Sequence, residues 1–219
     1  MKSYEKFYKM LKGIQENPYL YLSSLSLKHL HLFLMGYEVC AMANGVHFGL
    51  HSEFYSFVEK KYDVKPTTYH PFNIITFFEP NEEEAFNKFF ELLGEFQKNK
   101  KDLREEKKMG VLPIEYADLS LVDKYYEILN GWIRKSPKLY LGTPSLKYLE
   151  TYINGYFTCA RVHQISFNPH DGFDDFVQMK YKSEIKRNSF KIINFRVWND
   201  EERAFYRFFE LLDEFLGKP

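Results

Sequence analysis

Near the amino terminus, apolar residues recur at intervals of three and four, which is the spacing of one face of an α-helix. The first stripe contains Phe7, Met10, Leu11 and Ile14. A second stripe runs from Leu27 to Ala41. The two stripes predict amphipathic helices, and we expect the second helix to begin near Ser24.

Three further elements follow. A short third helix is predicted from Ser52. The run Phe72–Phe78 joins aromatic residues to isoleucines and a threonine, and this composition predicts a β-strand. The last helix opens with Asn81 and Glu84 at the spacing of a capping box, and it carries the widest apolar face of the chain.

The same elements recur later in the chain. Pro18, Leu22, Leu27, Cys40, Phe89 and Leu93 return 119 residues later as Pro137, Leu141, Leu146, Cys159, Phe208 and Leu212. The second copy has its first stripe at Tyr125, Ile128, Leu129 and Trp132, its second helix from Thr143, its strand at Phe190–Trp198 and its last helix from Asn199. The repeat predicts tandem copies of one small domain, residues 3–98 and 120–219, separated by a charged linker at 99–119.

The predicted fold class is therefore α+β and mainly helical, with four helices and a short strand in each copy. A lone strand leaves backbone groups unpaired, so we expect Phe72–Phe78 and Phe190–Trp198 to pair with each other or with a local segment such as Thr67–Tyr69. Gly36 and Gly155 lie inside the second helix of their copies, where glycine is costly. Their repetition predicts the close approach of another backbone.

Composition excludes several classes of protein. The 219 residues are 45% hydrophobic and 27% charged, as in globular proteins, and the 30 basic and 30 acidic residues leave no net charge. A nucleic-acid partner is therefore not expected, since such binders usually have a basic surface. The sequence shows neither an export signal nor a membrane span, which predicts a cytoplasmic protein with reduced cysteines. Its 17 tyrosines and 22 phenylalanines favour a binding protein.

Candidate chemistry is sparse. Cys40 and Cys159 are predicted to be small buried hydrophobes, because no base accompanies them. His29 and His31 point to different faces of a helix and are not expected to bind a metal. No phosphate-binding loop or catalytic motif is present, so we predict no enzyme activity, no cofactor and no metal.

Six residues repeated in both copies are candidates for interaction or structural roles: Tyr21, Tyr140, Tyr37, Tyr156, His51 and His170. The two histidines precede a predicted helix cap, where a general acid or base is conceivable, but a ring packed on the loop is the simpler interpretation. Around Lys180–Arg196 the second copy is more basic than the first. This divergence over a common core favours different contacts for the two copies.

The pattern Pro-x-x-Tyr-Leu followed by Ser-Leu, Gly-Tyr and Ala-Phe-x-x-Phe-Phe-Glu-Leu-Leu resembles a group of small bacterial proteins. These proteins are similar to the immunity proteins that are carried beside polymorphic or contact-dependent toxins. The resemblance covers both copies, most closely Ser136–Tyr156 and Ile192–Phe215, and this chain differs by being duplicated. It implies a cytoplasmic protein that binds and neutralises a cognate toxin. The sequence is also compatible with a regulatory adaptor, or with an enzyme that has a pocket between the copies. It does not define an oligomeric state.

Overall fold

The computed structural model describes residues 2–46, 52–65, 70–99, 119–166, 168–183 and 187–217. Within these ranges the regular structure is entirely helical. The first copy contains α1 (Ser3–Glu16), a 3₁₀ turn (Pro18–Leu20), α2 (Leu27–Ala43), α3 (Ser52–Lys61), α4 (Pro71–Phe78) and α5 (Glu82–Asn99). The second contains α6 (Leu121–Glu127), a π-helix (Ile128–Ile133), α7 (Pro137–Tyr140), α8 (Leu146–Val162), α9 (Phe173–Lys180), α10 (Ser189–Arg196) and α11 (Glu201–Phe215).

The prediction of an α+β fold with one strand in each copy is wrong. Phe72–Phe78 lies within α4, and the predicted strand at 190–198 is α10 followed by a turn. Pro71 occupies the first turn of α4, where its missing N–H is harmless, and the Asn188 side chain accepts a hydrogen bond of 3.0 Å from the Lys191 amide at the start of α10. A short apolar run is compatible with a buried helix as well as a strand, and these start signals decide the outcome.

The predicted strand pairing is wrong for the same reason, since both segments satisfy their backbone groups within a helix. Thr67–Tyr69, the proposed local partner, lies outside the described residues.

Serine residues precede α2 and α8, and both helices begin later in the chain than predicted. Ser26 rather than Ser24 caps α2, and its hydroxyl accepts a hydrogen bond from the His29 amide at 3.3 Å. Ser145 rather than Thr143 precedes α8 and accepts from the Tyr148 amide at 3.2 Å. Each of these hydroxyls in turn donates to a carboxylate at the start of the last helix of its copy.

The π-helix explains why the two first stripes differ. There the Arg134 amide donates to the Leu129 carbonyl five residues earlier, at 2.8 Å. The wider turn accommodates one extra residue, so equivalent positions are 118 apart before it and 119 apart from Pro18 and Pro137 to the end of α2 and its counterpart α8. In consequence Ile133 is buried, and Trp132, predicted on the buried face, is only half-buried.

Two units make up the chain: Met1–Leu112 with Asn154–Gln164, and Pro113–Ile153 with Ile165–Pro219. The C-terminal part of α8 thus belongs to unit one. In each unit the last helix supplies the broad apolar face that the sequence predicts, and Cys40 and Cys159 are buried free thiols. The copy boundaries 3–98, 99–119 and 120–219 stay a prediction, and most of the linker lies outside the described residues.

Gly155 confirms the predicted close approach of two backbones. A β-carbon at this position would overlap the carbonyl oxygen of Phe33 and lie 2.8 Å from its carbonyl carbon. Gly36, at the equivalent position of α2, is also buried. In the part of the chain that the structure describes, no helix has the length and apolar character needed to cross a membrane.

Candidate interaction surfaces

Two of the tyrosines singled out from the sequence lie in the core. Tyr37 is 0% exposed and Tyr156 is 1% exposed. The Tyr37 hydroxyl shares a 3.1 Å hydrogen bond with Nε2 of His163, and burial raises the pKa of this tyrosine. The environment of Tyr37 and Tyr156 is that of packed core residues, and any role in binding stays a prediction.

The other tyrosine pair lies at the margin of the fold. Tyr21 is half-buried, and its hydroxyl lies 2.9 Å from where a β-carbon on Gly13 would be. Tyr140 is also half-buried, but its ring stacks on Trp132 with a centroid distance of 6.1 Å. Equivalent tyrosines therefore face a glycine in one copy and an indole in the other.

His170 packs inside unit two, as the simpler sequence interpretation predicts. Its Nε2 shares a 3.0 Å hydrogen bond with the Tyr125 hydroxyl. Burial lowers the pKa of His170 to about 4, opposed by the charge of Asp174. A histidine with this pKa is neutral near pH 7. Its counterpart His51 lies outside the described residues.

A stack of histidines in unit one was not predicted. The ring of His31 lies 4.7 Å from that of His70 and 4.5 Å from that of Phe72, and the Tyr55 hydroxyl shares a 2.9 Å hydrogen bond with Nε2 of His70. Burial lowers the pKa of His31 to about 3, helped by His70 and Lys28, and it lowers the pKa of His70 to about 4. His70 lies immediately before α4. Because the sequence of α4 predicted a strand, the contact between His70 and His31 of α2 was not expected.

The second copy replaces this stack by a hydrogen bond. Asn188, which precedes α10 as His70 precedes α4, donates to Oε1 of Glu150 at 3.1 Å.

His29, which with His31 forms the histidine pair that was not expected to bind a metal, is buried, and its Nδ1 shares a 3.1 Å hydrogen bond with the Ser23 hydroxyl. Among the described residues no three His, Cys, Asp or Glu side chains converge as metal ligands.

The thiols have the character of core residues. Cys40 and Cys159 are both 0% exposed. A hydrogen bond with Cys40 and burial together raise the pKa of the Cys159 thiol. The thiolate that a nucleophile requires is therefore disfavoured at Cys159.

Large apolar side chains are exposed at the end of α4. Phe77 is 80% exposed and Phe78 is 45% exposed. Together with Ile74 and Val64 they line an apolar groove of about 500 Å³, and the Tyr62 ring stacks on Phe78 at 4.6 Å. We call Phe77 and Phe78 the first aromatic surface. Leaving two phenylalanine side chains exposed to water at a helix end costs free energy, because their apolar surface is not buried.

The end of α10 exposes a richer set. Phe195 is 74% exposed and Trp198 is 89% exposed, and the amide of Trp198 donates to the Phe195 carbonyl in the turn between them. Arg196 lies over the Tyr181 ring at 5.4 Å and donates to the Tyr181 carbonyl. We call Tyr181, Phe195, Arg196 and Trp198 the second aromatic surface.

The two surfaces are related by the repeat. Phe-x-Ile-Ile-x-Phe occurs at Phe72–Phe77 and again at Phe190–Phe195, 118 residues later. In both copies the first phenylalanine stacks on the last helix and the second faces solvent. The repeated motif is visible in the sequence, but a comparison of the two copies at an offset of 119 residues misses it by one position.

Comparison with protein-family models, with curated proteins and with solved structures finds no match. The resemblance to immunity proteins therefore rests on the sequence pattern alone.

Proposed function

We propose that this chain is a non-enzymatic binding protein whose aromatic surfaces dock onto a protein partner. The single observation that carries the proposal is the exposure of the same phenylalanine, Phe77 and Phe195, in both copies. An isolated exposed apolar residue needs no explanation, but the same one at equivalent helix ends does.

The second aromatic surface supports this proposal by its composition. Tryptophan, tyrosine and arginine are the residues that contribute most often to binding energy at protein interfaces. Tyr181 holds Arg196 over its ring and accepts a 2.8 Å hydrogen bond at its hydroxyl from Nε of Arg207. This arrangement fixes the arginine before a partner arrives, so less side-chain entropy is lost on binding.

We further propose that the partner is a bacterial toxin and that this chain is its immunity protein. Support comes from the sequence resemblance and from the divergence of the two copies, whose aromatic surfaces carry arginine in one copy and none in the other. Such a protein neutralises its target by shape and charge complementarity and requires no catalytic group.

The test is to express the product of the adjacent gene with and without this chain. Rescue of growth and a complex on gel filtration are expected. Phe195→Ser combined with Trp198→Asn should weaken the complex at least thirtyfold, because both side chains are solvent-exposed and aromatic, and aromatic residues are enriched at protein interfaces. Asparagine is chosen because residue 198 has a φ of 59°, a conformation that asparagine tolerates.

Leu139→Ser is the matched control, since Leu139 is 76% exposed in the same unit but lies outside the aromatic surface. It should leave the affinity unchanged. A harmless neighbour that forms no complex, or a complex equally strong with the double variant and the wild type, would contradict the proposal.

A further inference from the structure

A groove in unit one lies along α1 and has a volume of about 860 Å³. Its other walls are the segment around Leu20 and Tyr21 and the C-terminal part of α8. Four cations line it, namely Lys6, Lys9, Lys12 and Arg161, whereas Glu16 is the one acidic lining residue among those described. The groove therefore carries a local positive charge in a chain that is neutral overall.

Among the described residues, most of this positive charge has no carboxylate in an ion pair with it. Lys12 pairs with Glu16 at 3.6 Å across two exposed side chains, a contact that contributes little in water. Arg161 donates a hydrogen bond to the Thr158 hydroxyl at 3.4 Å. Within the described residues, no carboxylate forms an ion pair with Lys6, Lys9 or Arg161. Cations held together without carboxylates attract an anionic ligand.

One residue in the lining of the groove, Gly13, has no side chain. Gly13 forms part of its floor, and the Tyr21 hydroxyl lies against it. In the second copy Trp132 lies within the π-helix, next to Gly131, and its indole stacks on Tyr140, the counterpart of Tyr21. An indole therefore lies beside this tyrosine in the second copy, whereas Gly13 lies beside it in the first.

The lining also indicates what kind of anion fits. Met10, Leu20 and Val162 add apolar surface, and Leu20 is 79% exposed. Tyr21 is the one aromatic residue among the lining residues described, and its ring meets Phe33 edge-on at 6.1 Å. A single-stranded nucleic acid would require several open rings on which bases stack. A polypeptide segment with both acidic and apolar side chains matches this lining.

We propose that the groove along α1 binds an acidic segment of the protein partner. The inference rests on the proposed function, because it takes the ligand to be part of a protein, but it concerns a separate surface. The aromatic surfaces and the groove then have different roles. The aromatic surfaces supply apolar anchors, and the groove selects a partner segment by its negative charge.

The test uses the full chain and a fluorescein-labelled peptide of sixteen residues in which glutamates alternate with leucines and alanines. Anisotropy at low salt should show binding. A peptide with glutamine in place of glutamate should bind at least tenfold more weakly, and so should Lys6→Ala/Lys9→Ala/Arg161→Ala with the glutamate peptide. Lys60→Ala/Lys98→Ala removes two exposed lysines elsewhere in unit one and should leave binding within twofold.

Gly13→Trp supplies an independent test, since it places a bulky side chain in the groove and removes no charge. It should reduce binding at least fivefold while circular dichroism shows an unchanged helix content. Equal binding by all variants, or tighter binding of a twelve-residue oligothymidylate than of the peptide, would overturn the inference. Because no toxin is needed, failure here leaves the test of the proposed function unaffected, and the reverse also holds.

Discussion

Single residues in this protein show how equivalent positions acquire different constraints. Gly155 has no room for a side chain, because the carbonyl of Phe33 lies against its α-carbon. Gly94, inside α5, has no atom within 4 Å of where a β-carbon would be. Both are helical glycines, and nothing in the local sequence distinguishes them. Their difference arises from tertiary packing.

Gly155→Ala is therefore expected to destabilise the protein by about 2–4 kcal/mol, because the new methyl group must displace a backbone. Gly94→Ala is the matched control and should raise the free energy of unfolding by about 0.5–1 kcal/mol, since alanine favours the helix and meets nothing. Urea unfolding followed by circular dichroism measures both. An unchanged midpoint for Gly155→Ala would show that α2 and α8 can separate at no cost.

Buried histidines make stability depend on pH. In the unfolded chain histidine has a pKa near 6.5, whereas the folded values are about 3 for His31 and about 4 for His70 and His170. Between these values the unfolded state binds more protons than the folded state, so stability falls as pH falls below about 6.5. Above that pH the contribution is fully present.

We expect the melting temperature at pH 5 to lie about 5–15 °C below that at pH 7.5. The double variant His31→Gln/His70→Gln should lose more than half of this pH dependence, because it removes two of the three histidines whose pKa lies at about 3 or 4 in the folded protein. Differential scanning calorimetry at the two pH values provides the comparison. Identical melting temperatures for the wild type would contradict the assigned burial of these rings.

Helix termini form the next scale of organisation, and here one carboxylate serves two helices. Glu201, in the first turn of α11, accepts a 2.8 Å hydrogen bond from the Ser145 hydroxyl and a 2.9 Å hydrogen bond from the Lys147 amide at the start of α8. Glu82 repeats both contacts in the first copy with Ser26 and Lys28. The repeated Ser-Leu-Lys motif thus has a structural function.

Glu201→Ala should lower the free energy of unfolding by about 1–2 kcal/mol, since an amide and a hydroxyl lose their charged acceptor. Glu202→Ala removes the same charge from the same helix turn, but Glu202 is exposed and the change should cost less than about 0.5 kcal/mol. Chemical denaturation of the two variants in parallel gives the difference. Equal losses would mean that helix dipole stabilisation, rather than the hydrogen bonds to α8, accounts for the effect.

The sequence predicted those elements whose apolar period extends over several turns. The stripe of Phe7, Met10, Leu11 and Ile14 and the broad faces of the last helices are buried as expected. The eight-residue helices α4 and α10 were missed, because two turns of apolar residues have no distinctive period and their isoleucines favour strands. The exposed phenylalanines were missed with them, since exposure depends on where each helix ends.

For the whole molecule, the repeat along the sequence and the division in space do not coincide. Unit one consists of Met1–Leu112 and the distant segment Asn154–Gln164. That segment supplies Gly155, Cys159 and His163, which contact residues of α2. The first copy thus completes its core with residues from the second.

A fragment of residues 1–112 should therefore fold poorly, because it lacks the segment that covers Phe33 and Tyr37. We expect a broad thermal transition and narrow amide dispersion in its NMR spectrum, whereas the full chain unfolds cooperatively. Appending residues 154–164 through a flexible Gly-Ser linker should restore part of the dispersion. A fragment 1–112 with the same sharp transition as the full chain would show that the first copy is autonomous.

The π-helix at Ile128–Ile133 has a consequence for how this fold can vary in length. Insertions are usually accommodated in loops, yet here one extra residue lies inside a helix, with buried residues on both sides of it. The two copies therefore differ by a single residue in the middle of a helix. An alignment of the copies that permits gaps only between helices would pair the wrong side chains along part of this helix, and the copies would look less alike than they are.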